Sequence, residues 1–408
     1  MKVPRPTACF PGSLLGLLLV LFLVPGCTTR WAGKPHPGPW DLAVLGQSPA
    51  AEWGARTGRV QEVYYAGEPF RGKPTRVFAY VARPSEGHGP FPAMVLVHGG
   101  GGKAFPEWAD YWANRGYVAI AMDTAGHGPG GRLPDGGPDQ GDDIKFRNFS
   151  ESEIRDMWTY HAVAAVVRAH SLLRSLPEVD PARVGLTGIS WGGYLTCIVS
   201  GIDPRFRVAV PVYGCGYLGD NSYWTDKSLA AMSPEARGLW LRTFDPSAHV
   251  GGTRHPILFL DGSNDFAYPL DSLAKTSRLV PAAYRHVSIL LDMPHGHYWK
   301  FGEVDAFVDA ALRGGRPLPD VGTPELHGDV ATVRVRSVVA PAKAELLYTP
   351  DGGPWQKRHW KSVPARLARG SVVASIPGQR PLAYYLCVTD DRGLRTSTPV
   401  VELPAPKR

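Results

Sequence analysis

The chain has 408 residues, 44% of them hydrophobic and 20% charged, with a formal net charge of +7. That length buries a large core without disulfide staples, and that composition excludes a disordered or fibrous chain. The basic residues are scattered among acids with no Lys/Arg-rich block, which argues for a solvated surface and against a nucleic-acid footprint.

In chain order, Lys2 and Arg5 precede an apolar run over 14–24. The run is short for a bilayer span and has the basic-then-apolar layout of an export signal. It closes on Leu23-Val24-Pro25-Gly26-Cys27, which resembles a bacterial lipobox. The resemblance implies a signal segment over 1–27, lipidation at Cys27, and an exported protein held at the cell-envelope membrane by that anchor. With Cys9 removed and Cys27 acylated, Cys197, Cys215 and Cys387 remain. They show no C-x-x-C spacing, so neither a zinc motif nor a disulfide framework is expected; buried free thiols are favoured over a Cys197–Cys215 bond. Residues 28–58, rich in Pro, Gly, Trp and Ala without periodicity, read as a tether.

From residue 59 the pattern changes. Segments 60–65 and 76–82 read as an antiparallel hairpin at a sheet edge. Continuous apolar runs at 93–97 and 118–122, and strands at 183–187, 208–212, 257–260 and 287–291, alternate with helical patterns at 107–115, 157–176 and after residue 190. Such alternation predicts an α/β domain over 59–318 with a mostly parallel, doubly wound sheet. The Gly-, Pro- and Asp-rich stretch 124–143 reads as a long loop on the ligand side of that sheet. Residues 320–408 carry short alternating segments split by turns, an all-β pattern whose simplest reading is a small immunoglobulin-like or fibronectin-like sandwich.

The chemistry concentrates at Gly188-Ile189-Ser190-Trp191-Gly192-Gly193, between a buried strand and a helix. This is the G-x-S-x-G elbow, where glycines permit a turn that lifts the serine hydroxyl. Upstream, His98-Gly99-Gly100-Gly101-Gly102 follows a strand, the type of loop whose N–H groups stabilise an oxyanion. Gly100 and Trp191 are the expected donors, and His98 reads as a loop brace. A nucleophilic serine needs a base, and the base needs an orienting acid, in the order Ser, acid, His. Asp265, in the turn after the 257–260 strand, is the expected acid; Asp261 and Asp271 are lesser candidates. The base is His297 or His295, with His297 preferred for its place in Pro294-His295-Gly296-His297. Tyr213, Tyr217, Asn221 and Trp224 follow the next strand and are expected to contact substrate. His127, His161 and His170 read as structural, and Trp158 and Tyr160 as helix packing. No metal or organic cofactor is implied.

Over 59–319 the sequence resembles bacterial acetylxylan esterases and dienelactone-hydrolase-related proteins, bordering on the prolyl-oligopeptidase group, all α/β-hydrolases. The carrying residues are His98 to Gly102, Gly188 to Cys197, Pro211 to Gly216, Asn264 to Pro269 and Met293 to His297. The resemblance implies a serine hydrolase acting on a carboxylic ester, acetyl by preference since Trp191 crowds the nucleophile, and possessing a carbohydrate alcohol. Cys27 and the β-rich tail depart from the simplest members. A serine peptidase and a non-catalytic carbohydrate-binding lipoprotein are the competing readings.

Overall fold

Val, Ile, Ala and Leu runs with no polar alternation make strands that are buried on both faces, and such strands pair in parallel under flanking helices. The computed structural model describes residue 1 and residues 38–405, so the predicted signal segment and Cys27 lie outside the described residues. No described helix is long and apolar enough to cross a membrane.

The sheet opens with antiparallel edge strands Ala51–Thr57, Val60–Ala66 and Arg76–Ala82. It continues through six parallel strands in the order Val118–Met122, Phe91–Val97, Val179–Ile189, Val208–Val212, Ile257–Gly262 and Arg285–Leu290. One face packs on helices Trp158–Ser175 and Trp191–Ile202, the other on Pro106–Asn114 and Gly302–Arg313. Trp108, Trp112, Trp158 and Trp240 are among the largest fully buried side chains, each worth about 2–3 kcal/mol of burial.

Two boundaries differ from expectation. Part of the predicted tether is structured: Trp40 is buried and donates to the Tyr160 carbonyl at 3.0 Å, and Ala51–Thr57 is an edge strand. The segment lacks periodicity because single large side chains, Trp40 and Leu45, do the anchoring. The β-rich tail has the expected two layers, with Val333, Leu346, Val372 and Leu386 between them. One layer, however, extends the main sheet. Val287 of Arg285–Leu290 pairs with Ser397 of Arg395–Ser397, and that strand pairs with Leu382–Thr389. Cys197, Cys215 and Cys387 are free and buried.

His161 and His170 are held inside the protein. His170 bonds Asp203 at 3.0 Å and stacks on Phe206, while His161 sits edge-on to Phe70. His255 is buried with no hydrogen-bond partner on either ring nitrogen among the described residues, and burial pushes its pKa from 6.5 down to about 4. The unfolded chain therefore takes this proton first, so stability falls as pH drops from about 6.5 to about 4 and changes no further below. The loss at this one site is about 3 kcal/mol. Thermal melts from pH 7 to 4 are expected to slope less in His255→Gln than in the parent; equal slopes would refute it.

Candidate active site

The site forms where the parallel strands end. Gly188 and Ile189 are in register with Pro211 and Val212, and the Ser190 N–H donates to the Val212 carbonyl at 3.0 Å. Ser190 then turns to φ 55° and ψ −120°, a conformation that costs on the order of 1–3 kcal/mol. The flanking glycines have steric causes. A Cβ on Gly192 would stand 1.9 Å from the Val97 carbonyl oxygen, and one on Gly188 2.3 Å from the Gly192 oxygen. The helix Trp191–Ile202 starts at once, so its first N–H groups face the site without intrahelical acceptors.

The glycine loop lies against this elbow. A Cβ on Gly99 would come within 2.9 Å of the Ser190 Cβ, and one on Gly100 within 2.7 Å of the Trp191 ring. Only bare backbone fits here, beside Trp191, as an oxyanion loop requires. His98 braces the loop. Its Nδ1–H donates to the Gly99 carbonyl at 2.7 Å, and its Nε2 accepts from the Thr124 N–H at 2.9 Å. Burial holds this ring below the ordinary histidine pKa, which suits an Nε2 that accepts.

Asp265 follows the strand Ile257–Gly262 and is buried. Its Oδ1 accepts the N–H groups of Ala267 and Tyr268 at 2.8 and 2.7 Å, leaving Oδ2 for an imidazole. That imidazole is His295, whose Nδ1–H donates at 2.6 Å. The preference for His297 is corrected here. After the last strand Asp292 turns left-handed, at φ 52°, which brings His295 back over Asp265 between Tyr213 and Phe266. His297 lands two residues farther on, beside Phe105 and the glycine loop. Partial burial, then the neighbouring His295, hold the His297 pKa below its ordinary value. Among the described residues Asp261 accepts only from its neighbour Gly262, and burial followed by repulsion from Asp265 raises its pKa well above the carboxylate range. Asp271 instead binds Asn221 and Lys275.

Ser190, His295, His297, Gly100, Trp191 and Trp224 share the walls of one cavity of about 480 Å³. The Trp224 Nε1–H donates to Asp142, also in that wall, at 3.0 Å. Tyr213 and Tyr217 are not among the lining residues, which corrects their expected role. Tyr213 is buried and its hydroxyl donates to the Gly296 carbonyl at 2.6 Å, so it supports the histidine loop from beneath. Tyr217, at φ 61°, donates its N–H to Asp245, and Asn221 serves Asp271. Sequence reasoning missed Phe266, Tyr223, Gln140 and Lys145, which also line the cavity. The loop over 124–143 was the available signal for Gln140, whose Nε2 reaches the Gly102 carbonyl at 3.0 Å. Lys145 is buried 4.4 Å from the Trp191 ring centroid and pairs with Asp142 at 3.2 Å. Burial lowers its pKa.

An exposed-elbow hydroxyl, a carboxylate-held imidazole and a bare-backbone loop together make nucleophilic acyl transfer chemically accessible.

Residues 48–250 match the family model described as acetyl xylan esterase. The chain is 27% identical over 229 residues to an uncharacterized peptidase, YuxL, of Bacillus subtilis, covering 52% of this chain and 31% of that protein. It is 28% identical over 149 residues to the acetyl esterase Axe7A of Xylanibacter ruminicola, covering 33% of this chain and 31% of that one. It thus spans less than two thirds of the length of these curated relatives. An acetyl xylan esterase structure from Paenibacillus sp. R4 matches with a TM-score of 0.52 at 20% identity, over 66% of this chain and 92% of that one, a likeness of fold.

Proposed function

We propose, on the premise that this chain belongs to the α/β-hydrolase superfamily, that it is a serine esterase removing small acyl groups, acetyl foremost, from carbohydrate-class alcohols. Ser190 attacks the ester carbonyl while His295 accepts its proton. Asp265 fixes the imidazole tautomer and stabilises its charged form. The N–H groups of Trp191 and Gly100 receive the tetrahedral oxygen, His295 returns the proton to the leaving alcohol, and water then releases the acyl-enzyme.

The observation that carries this reading is the 2.6 Å Asp265–His295 bond in a cavity wall shared with Ser190 at its strained turn. Two features support the substrate. Trp191 and Trp224, with ring centroids 4.5 Å apart, narrow the space beside the nucleophile and favour a short acyl chain. Beyond His297 a larger cavity of about 910 Å³, lined by Tyr80, Tyr111, Tyr298 and Trp299 with Glu62 and Glu107, leaves room for a bulky polyhydroxylated alcohol.

A peptidase reading has one point in its favour, the name of the Bacillus subtilis relative. Turnover of p-nitrophenyl acetate against alanyl-prolyl-p-nitroanilide separates the two. The ester is expected to be the preferred substrate, with rates falling as the acyl chain lengthens; preference for the amide would refute the esterase reading.

A further inference from the structure

The residue before Asp265 points the other way. The Asn264 side-chain amide donates to the Arg358 carbonyl at 2.7 Å, with the Gln356 and Trp355 carbonyls at 3.4 and 3.5 Å around the same nitrogen. All three belong to one short turn of the C-terminal β region, built on the 3₁₀ segment Trp355–Lys357. That turn is firmly held. Trp355 is buried, the Arg358 guanidinium lies 3.6 Å from its ring centroid, and Arg358 also bonds Glu402 at 2.9 Å and the Gly353 carbonyl at 3.1 Å. The chain of bonds continues on the other side of Asn264. Its Oδ1 accepts from the Ser263 hydroxyl at 2.7 Å, and the Ser263 oxygen accepts from the Asp292 N–H at 3.0 Å. Asp292 is the left-handed residue that turns the histidine loop back.

We propose that Asn264 is a positioning residue, a latch through which the C-terminal β region holds Asp265 and His295 in register. The proposal rests on the esterase reading of Ser190, Asp265 and His295. One continuous path, from Arg358 through Asn264 and Ser263 to Asp292, touches the loop carrying the acid and the loop carrying the base. Asn264 itself bonds the C-terminal turn and Ser263, and the Ser263 oxygen carries the path on to the histidine loop. Catalytic geometry tolerates displacements of only about 0.5 Å, and a shift of about 1 Å costs on the order of 10²-fold in rate.

The test uses the full chain with Asn264→Ala and Asn264→Gln, assayed on p-nitrophenyl acetate, together with the proton spectrum of the His295 Nδ1–H. In Asn264→Ala, kcat is expected to fall about 10- to 100-fold with KM within about twofold. The downfield Nδ1–H signal, which reports the Asp265–His295 bond, should weaken or shift. Asn264→Gln, which keeps the amide, should recover part of each. A parental kcat in Asn264→Ala would overturn the latch, as would a rate loss with the Nδ1–H signal unmoved. If Asn264→Ala fails to fold, Ser263→Ala cuts the same path one bond farther along and carries the same expectations and the same refutation. The Nδ1–H signal is read without substrate, so the latch is decided even if the parent hydrolyses no ester. Failure of the parent to turn over any ester or to react with a fluorophosphonate would count against the esterase reading instead.

Discussion

Ser190→Ala is expected to lower kcat/KM for an acetyl ester by about 10⁴-fold or more while leaving the thermal midpoint within a few degrees of the parent. The two halves of that expectation have separate causes. The fold keeps φ near 55° at this position because the Val212 carbonyl, the glycine loop and the helix start all hold it, and alanine keeps the same Cβ. What disappears is one oxygen, and with it the covalent route; no other hydroxyl in the cavity sits at a strained turn beside bare-backbone N–H groups. Steady-state kinetics beside differential scanning calorimetry measure both. Activity within about tenfold of the parent would remove Ser190 from the mechanism.

His295→Ala is expected to cost about 10⁴-fold in kcat, whereas His297→Ala should cost about tenfold or less. The contrast comes from the acid. Asp265 accepts from the Ala267 and Tyr268 N–H groups and from His295, and among the described residues no carboxylate is paired with His297. Burial holds its pKa below the ordinary histidine value, and the ring stands in the walls of both cavities. Equal losses in the two variants, or the larger loss in His297→Ala, would reverse the assignment.

The legible part of the site was the part set by local backbone demands. Gly188 and Gly192 are readable because no side chain fits where backbone approaches within van der Waals contact, and they mark Ser190 between them. Asp265 is readable because a turn after a central strand has one natural place for an acid. The choice between His295 and His297 was not, because both occupy the same Pro-Gly stretch and the decision falls to the left-handed Asp292 upstream. Tyr213 and Tyr217 misled for a similar reason. Proximity to a strand end suggested a pocket wall, but positive φ at both residues turns their backbones aside. The strand alternation revealed the parallel sheet, whereas the junction with the β region depends on Val287 meeting Ser397, a pairing with no local signature.

That same pairing sets the terms on which the β region can be lost. With Arg395–Ser397 in place, the outermost parallel strand has a neighbour for its N–H and C=O groups. A shortened relative lacking this segment would present a raw edge of Val287 and Ile289, a template on which a second molecule could dock strand to strand, and would need a charge, a proline or a covering loop there to stay monomeric.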